Sequence, residues 1–94
     1  ADVDAQRQRI RFEVEQARLA VRAAKATLEA SDEAVVSARE RLRLAEGRYA
    51  AGAGSALELS DAQLALANAL AQRVRADYTL ASARASLLLA LGEP

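Results

Sequence analysis

Apolar residues recur along the first half of the chain at alternating steps of three and four positions. The series runs from Ile10 to Tyr49, over more than five heptads. A stripe at this spacing, sustained over several heptads, is typical of a coiled-coil helix. Its members are Ile10, Val14, Ala17, Val21, Ala24, Leu28, Ser31, Val35, Ala38, Leu42, Ala45 and Tyr49. The pattern predicts one long helix over about residues 3–50.

The second half repeats the pattern, with large and small residues in turn. When Val14 is taken as an a position, the a residues of the first helix are large, and the d residues from Ala17 onward are small. The second half has large a residues at Leu59, Leu66, Leu80 and Leu87, with Arg73 among them, and alanine at d positions 62, 69, 76, 83 and 90. Large residues that face small ones fill each layer while the backbones approach closely. We therefore predict an all-α fold in which residues 1–94 form one long antiparallel two-helix coiled-coil hairpin, with a second helix over about residues 56–91.

One antiparallel register matches a large residue with a small one at nearly every layer. In that register the numbers of facing residues sum to 104, so that Ala38 faces Leu66. Slipping by one heptad would bring Ala45 to Leu66 instead. The preferred register also places Ser31 opposite Arg73 and leaves two possibilities open for the guanidinium. It either pairs with Asp32 or extends to water along the helix surface.

Both predicted helices carry a second apolar stripe away from the first seam. The stripe of the second helix consists of Leu64, Ala67, Ala71, Val74, Tyr78, Ala81, Ala85 and Leu88. A weaker one in the first helix consists of Phe12, Leu19, Ala23, Ala26 and Ala30. A helix with two apolar faces is expected to have two neighbours. The sequence therefore predicts an oligomer, or a part of one.

Composition excludes several classes of function. The chain has no Cys and no His, which removes disulfides, thiol nucleophiles, imidazole bases and the usual zinc sites. Formal charge is zero, and the basic cluster Arg7, Arg9 and Arg11 is followed at once by Glu13 and Glu15, so no nucleic-acid surface is predicted. Acidic and basic residues at salt-bridge spacing indicate a solvated helix surface, and a two-helix hairpin has no enclosed pocket. We expect no enzymatic activity, cofactor or metal.

The helical pattern stops once, in the stretch RYAAGAGSALELSDAQ at residues 48–63. Gly52 and Gly54 are expected to adopt left-handed conformations that end the first helix. Ser55 and Glu58 form a capping box that starts the second helix after a turn over residues 51–55. Any helical hairpin needs such a stop and restart, and Tyr49 at an a position is more often a core residue than a contact. Capping alone can therefore explain the turn.

This stretch resembles the tip signature of TolC-like outer-membrane efflux channels. That signature is roughly Arg-Tyr-x-x-Gly-x-x-Ser/Thr-x-x-Asp/Glu-Val/Leu-Leu-Asp-Ala-Gln. The matching residues are Arg48, Tyr49, Gly52, Ser55, Glu58, Leu59, Asp61, Ala62 and Gln63. The closing ASLLLALGEP also resembles the end of the returning helix in that family. Two positions depart from it: Ser60 stands where the family usually has Leu, and Gly54 where some members have a charged or bulky residue that helps to close the mouth.

The resemblance implies a role in export. Members of the family are trimeric tunnels in Gram-negative bacteria, in which helical hairpins form an α-barrel through the periplasm below the outer membrane. Their tips dock onto hairpins of a periplasmic adaptor protein, which links the channel to an inner-membrane pump for multidrug export. By this resemblance the adaptor-docking tip consists of Tyr49, Gly52, Ala53, Gly54, Ser55 and Leu57. The same resemblance implies that Glu58 and Asp61 lie near the tunnel mouth. Family chains are several times longer, so this chain is expected to be a hairpin excised from a larger channel protein.

Two other interpretations remain open. The adaptor's own hairpin is also a long antiparallel coiled coil with a serine at its tip, but its signature has a hydrophobic residue just before the serine and Asp five residues after it. Here Gly54 precedes Ser55, Asp61 is six residues further on, and Arg48 in place of Leu lies seven residues before. The third interpretation is a purely structural coiled-coil hairpin with no transport role. It would be favoured if the tip tolerated any capping sequence.

Overall fold

The computed structural model describes residues 2–92 and consists of two long helices in a hairpin. Helix α1 is Asp2–Ala50 and helix α2 is Ala56–Ala90, joined by a turn at residues 51–55. The molecule measures 76 × 18 × 15 Å. The predicted all-α hairpin is confirmed, and the described residues include no strand. None of the helices in this part of the chain has the length and apolar character needed to cross a membrane.

Local signals explain where the helices begin and end. Asp2 and Asp4 lie in the first turn of α1, where negative charge interacts favourably with the helix dipole. Helix α2 ends just before Gly92, whose φ of 80° is left-handed and whose N–H donates to the carbonyl of Leu89 at 3.0 Å. A glycine in this conformation is a common stop signal after the last helical turn. Between these ends the chain is rich in Ala, Leu, Arg and Glu, which favour helix.

The core of the hairpin is a single seam. Every buried residue of the described chain occupies an a or d position of the predicted pattern. These residues are Val21, Ala24, Ser31, Val35, Ala38, Ala45, Ala62, Ala69, Ala76 and Leu80. Alanine predominates because it lies between the two backbones, whereas large partners such as Leu28 and Leu66 are partly exposed at the edges. The close packing predicted from the pattern of large and small residues therefore accounts for the whole core.

The register of the hairpin is the preferred one. Val35, Ala38 and Ala69 pack in one cluster, with Leu66 against it. A second cluster joins Val21, Ala24 and Leu80, with Leu28, Ala83 and Leu87 around it. In both clusters the facing residue numbers sum to 104. Since Leu66 packs with Ala38 in place of Ala45, the prediction is confirmed and the slipped register is excluded.

The polar layer in the middle of the seam is held by two separate interactions. The Ser31 hydroxyl donates to the carbonyl of Leu28 at 2.7 Å, so it is satisfied within its own helix. Arg73 donates from Nε to the Asp32 carboxylate on the opposite helix. That hydrogen bond, together with the carboxylate charge, raises the pKa of the Arg73 guanidinium. Of the two possibilities, pairing with Asp32 is the one found, although both side chains remain about half exposed.

Two seam positions do not behave as predicted. Ile10 is exposed because α2 ends at Ala90, which faces Val14, so the first turns of α1 extend past the end of α2. Tyr49 is 50% exposed. In the observed register Tyr49 lies opposite Ser55, which precedes the first residue of α2. The second helix therefore does not cover the ring. Tyr49 is therefore not the core residue that its a position suggested.

The second apolar stripes lie on the outer surface. Both are exposed along their full length, and Val74 and Tyr78 of α2 are 68% and 74% exposed. The accessible surface is 7110 Å². A compact monomer of 10.0 kDa is expected to expose about 5,200 Å². The hairpin is thus an open shape with two apolar faces that no part of residues 2–92 covers.

Candidate functional site

The tip begins where α1 ends in a Schellman motif. Gly52 has a left-handed φ of 77°. Its N–H donates to the carbonyl of Tyr49 at 3.1 Å, and the N–H of Ala53 donates to the carbonyl of Arg48 at 2.8 Å. These two hydrogen bonds define the motif and satisfy the last carbonyls of the helix. The left-handed conformation expected of Gly52 is therefore found, and it ends α1 as predicted.

At Gly54 the limited room for a side chain, and not the backbone conformation, favours glycine. Its φ is not positive, so the expectation of a left-handed Gly54 is wrong. A Cβ added at Gly54 would lie 3.0 Å from the Cβ of Arg48 and 3.0 Å from Glu58 Oε2. The loop folds directly against the end of α1 at this point. A side chain at position 54 would therefore require Arg48 and Glu58 to shift by a few tenths of an ångström.

Ser55 starts α2 as an N-cap. Its backbone is extended, with φ of −94° and ψ of 160°, and its Oγ accepts a hydrogen bond from the N–H of Glu58 at 3.1 Å. This is the serine half of the predicted capping box. The Glu58 carboxylate, in contrast, accepts a hydrogen bond from Arg48 Nε at 3.3 Å. The acidic residue of the box thus connects the two helices.

Arg48 is the residue that sequence reasoning missed. In the sequence it is one match to the tip signature, with no role of its own. In the structure its guanidinium contacts both Glu58 and the carbonyl of Ala53, the latter at 3.2 Å from Nη2. A basic residue in the last helical turn, ten positions before the acidic residue of a capping box, was the available signal.

The residues of the expected docking tip all lie at one end of the hairpin. Gly52, Ala53 and Ser55 are exposed, and Gly54 is partly covered by its neighbours. The two large apolar side chains of the set, Tyr49 and Leu57, are 50% and 70% exposed. The tip therefore presents two apolar groups beside a short segment with almost no side-chain bulk.

Glu58 and Asp61, the expected mouth residues, line an open groove on one side of the hairpin. The groove has a volume of about 740 Å³ and also includes Arg48 in its wall. Its other lining residues are Val36, Ser37, Glu40, Arg41, Leu44, Ala45 and Ala62. The charge of Glu58 is balanced by Arg48, because their side chains form an ion pair. Asp61 adds a carboxylate about one helical turn further along α2, and Glu40 adds one from α1.

One further ion pair lies on the exposed surface of α1. Glu40 and Arg43 form an ion pair within α1 at 2.6 Å. The hydrogen bond from Arg43, and then its charge, lowers the pKa of Glu40, and the same contact raises the pKa of Arg43. Residues 2–92 contain no group of three acidic side chains placed to hold a metal ion.

Comparison with known proteins gives one result. A family model described as outer membrane efflux protein matches residues 1–93. The match covers both helices and the tip, so it extends well beyond the short signature. Neither the curated proteins nor the solved structures include a significant match.

Proposed function

The chain belongs to the outer membrane efflux protein family, and we propose that it is a periplasmic hairpin in the wall of an outer-membrane efflux channel. The observation that carries this proposal is the family match over residues 1–93, which includes the hairpin and its tip. The hairpin contributes to the tunnel wall and docks by its tip onto a periplasmic adaptor protein. It takes part in the export of small molecules and has no catalytic role.

The outer stripes support the role in the wall. In an α-barrel each helix has a neighbour on both sides, whereas in this hairpin each helix has one. The exposed stripe of α2, which includes Val74 and Tyr78, is the surface that a further helix would cover. Other copies of the same chain are the proposed neighbours, as in a trimeric channel.

The shape of the tip supports the docking role. Gly52 and Ala53 leave the backbone accessible, and Tyr49 and Leu57 offer exposed apolar surface beside it. A hairpin of an adaptor can approach such a segment closely and cover the apolar groups. The adaptor would then connect the channel to an inner-membrane pump, while Glu58 and Asp61 lie near the mouth. The family match favours the channel over the adaptor's own hairpin.

Ala53→Glu tests the docking role in an efflux channel that contains this hairpin. Ala53 is exposed, and exposed substitutions usually change stability by no more than about 0.5 kcal/mol. Within a close contact with an adaptor, the same carboxylate would be desolvated without a partner, which costs about 3–5 kcal/mol. We expect helicity and trimer assembly to be retained, with loss of adaptor pull-down and of drug resistance.

The control is Ala20→Glu, the same substitution at an exposed position of α1 far from the tip. It should leave adaptor binding and export unchanged. If Ala53→Glu also exports normally and binds the adaptor as the parent does, the turn is a helix cap and nothing more.

A further inference from the structure

We propose that Arg48 is the positioning residue of the tip, which holds Ala53 and Gly54 in one conformation through both its main chain and its side chain. The contacts that order the tip all lie within this hairpin and need no partner. Its consequence for docking rests on the proposed function above.

The main chain of Arg48 forms the first part of this clamp. Its carbonyl accepts the N–H of Ala53 at 2.8 Å and the N–H of Gly54 at 3.0 Å. A carbonyl oxygen has two lone pairs, so both acceptor positions are occupied. Two consecutive residues of the loop are thus tied to a single atom at the end of α1.

The side chain of Arg48 forms the second part. Nη2 donates to the carbonyl of Ala53 at 3.2 Å, while Nε donates to Glu58 at 3.3 Å. Ala53 is therefore held by Arg48 at both of its main-chain groups, its N–H and its carbonyl. An exposed ion pair contributes little by itself. Here the planar guanidinium joins the end of α1, the loop and the start of α2 at once, which the single ammonium of lysine does less well.

Gly54 provides an independent indication of the same contact. The loop approaches Arg48 so closely that a Cβ at Gly54 would be 3.0 Å from the Cβ of Arg48 and 3.3 Å from its carbonyl carbon. The absence of a side chain at Gly54 lets the loop lie this close to Arg48 without displacing it. The glycine in the sequence and the hydrogen bonds in the structure thus both indicate that the loop packs closely against Arg48.

A loop that is ordered before binding loses less conformational entropy on binding than a mobile one. Arg48 would therefore increase the affinity of the tip for an adaptor without having to touch it. This role differs from that of Tyr49 or Leu57, whose exposed side chains are placed to make contacts directly.

Amide hydrogen exchange and ¹⁵N relaxation of the 94-residue chain test the clamp. In Arg48→Ala the main-chain carbonyl of residue 48 remains, but the hydrogen bonds of the guanidinium to the Ala53 carbonyl and to Glu58 are lost. We therefore expect amide exchange at Ala53 and Gly54 to become about tenfold faster. Arg48→Lys should change exchange in the same direction. Glu58→Gln should have a smaller effect, since the contact with the Ala53 carbonyl remains. Far-UV circular dichroism should show unchanged helix content in all three.

The matched control is Arg43→Ala, which removes an arginine that is paired with Glu40 within α1 and has no contact with the tip. It should leave exchange at Ala53 and Gly54 unchanged. Parent-like exchange at these two amides in Arg48→Ala would overturn the proposal. Faster exchange spread evenly along α1 would also overturn it, because Arg48 would then be a general stabiliser of the helix.

Adaptor pull-down separates this proposal from the proposed function. If the tip docks, Arg48→Lys should weaken adaptor binding in the channel that contains this hairpin, and Arg43→Ala should not. The exchange measurement needs no partner. Failure of Ala53→Glu to affect docking would refute the docking role and leave the clamp standing, whereas unchanged exchange would refute the clamp alone.

Discussion

Gly52 and Gly54 lie two residues apart in the tip and require glycine for different physical reasons. Gly52 has a left-handed φ of 77° and open space around its α-carbon. Gly54 has no such φ but lies against Arg48 and Glu58. A substitution at Gly52 is thus strained in the backbone. One at Gly54 displaces its neighbours.

Gly54→Ala tests this distinction against Gly47→Ala. Gly47 lies within α1 with nothing within 4 Å of an added Cβ, so alanine there should stabilise the hairpin by about 0.5–1 kcal/mol. Gly54→Ala should destabilise it by about 1–3 kcal/mol, as expected for overpacking. Urea unfolding followed by circular dichroism measures both. Equal stabilisation by the two variants would show that the loop does not press against Arg48.

At the scale of the helices, one seam determines both pairing and register. Most of its layers place a large residue against alanine, and a slip by one heptad keeps that match at many of them. The layer with Ser31 and Arg73 breaks this degeneracy, because Arg73 reaches Asp32 only in the observed register. The Schellman motif at Gly52 acts in the same direction by fixing where α1 ends. Register is therefore specified at two places along the hairpin.

Engineered disulfides test the register directly, since the chain has no cysteine of its own. Ala38→Cys with Leu66→Cys should crosslink rapidly under mild oxidation, because these positions pack in one cluster. Ala45→Cys with Leu66→Cys should remain reduced. Gel mobility and mass spectrometry distinguish the intramolecular product from dimers. Preferential crosslinking of the second pair would show that the slipped register predominates in solution.

At the scale of the whole molecule, the hairpin is a single pair of helices with no further element packed against it in residues 2–92. Its length of 76 Å and its two exposed apolar stripes leave more surface open to water than a compact chain of this size exposes. Such surfaces are typical of interaction sites. The isolated hairpin should therefore self-associate or be only marginally folded when dilute, and gain stability from neighbours.

Glutamate substitutions on α2 test this expectation. Val74→Glu and Leu88→Glu place charge on the outer stripe and should weaken association by at least tenfold, since each would bury an unpaired carboxylate. Gln72→Glu and Arg75→Glu, at exposed positions outside the stripe, are the matched controls and should have smaller effects. Sedimentation equilibrium measures the association constant. A stable, fully helical monomer of the parent chain at micromolar concentration would contradict the prediction.

The period of apolar residues by itself determined the two helices and their shared seam, because large side chains must face small ones for the layers to fill. The polar pair Ser31 and Arg73 then distinguished the register from one slipped by a heptad. The period also identified the outer stripes, since a helix with two apolar faces exposes the one that its partner does not cover.

Tertiary structure decided how the tip is held. The contacts of Arg48 with Ala53 and Glu58 join residues five and ten positions apart, and they depend on the path of the loop. For the same reason only the folded chain showed that Gly54 lies tightly against Arg48 and that Tyr49 lies beyond the start of α2.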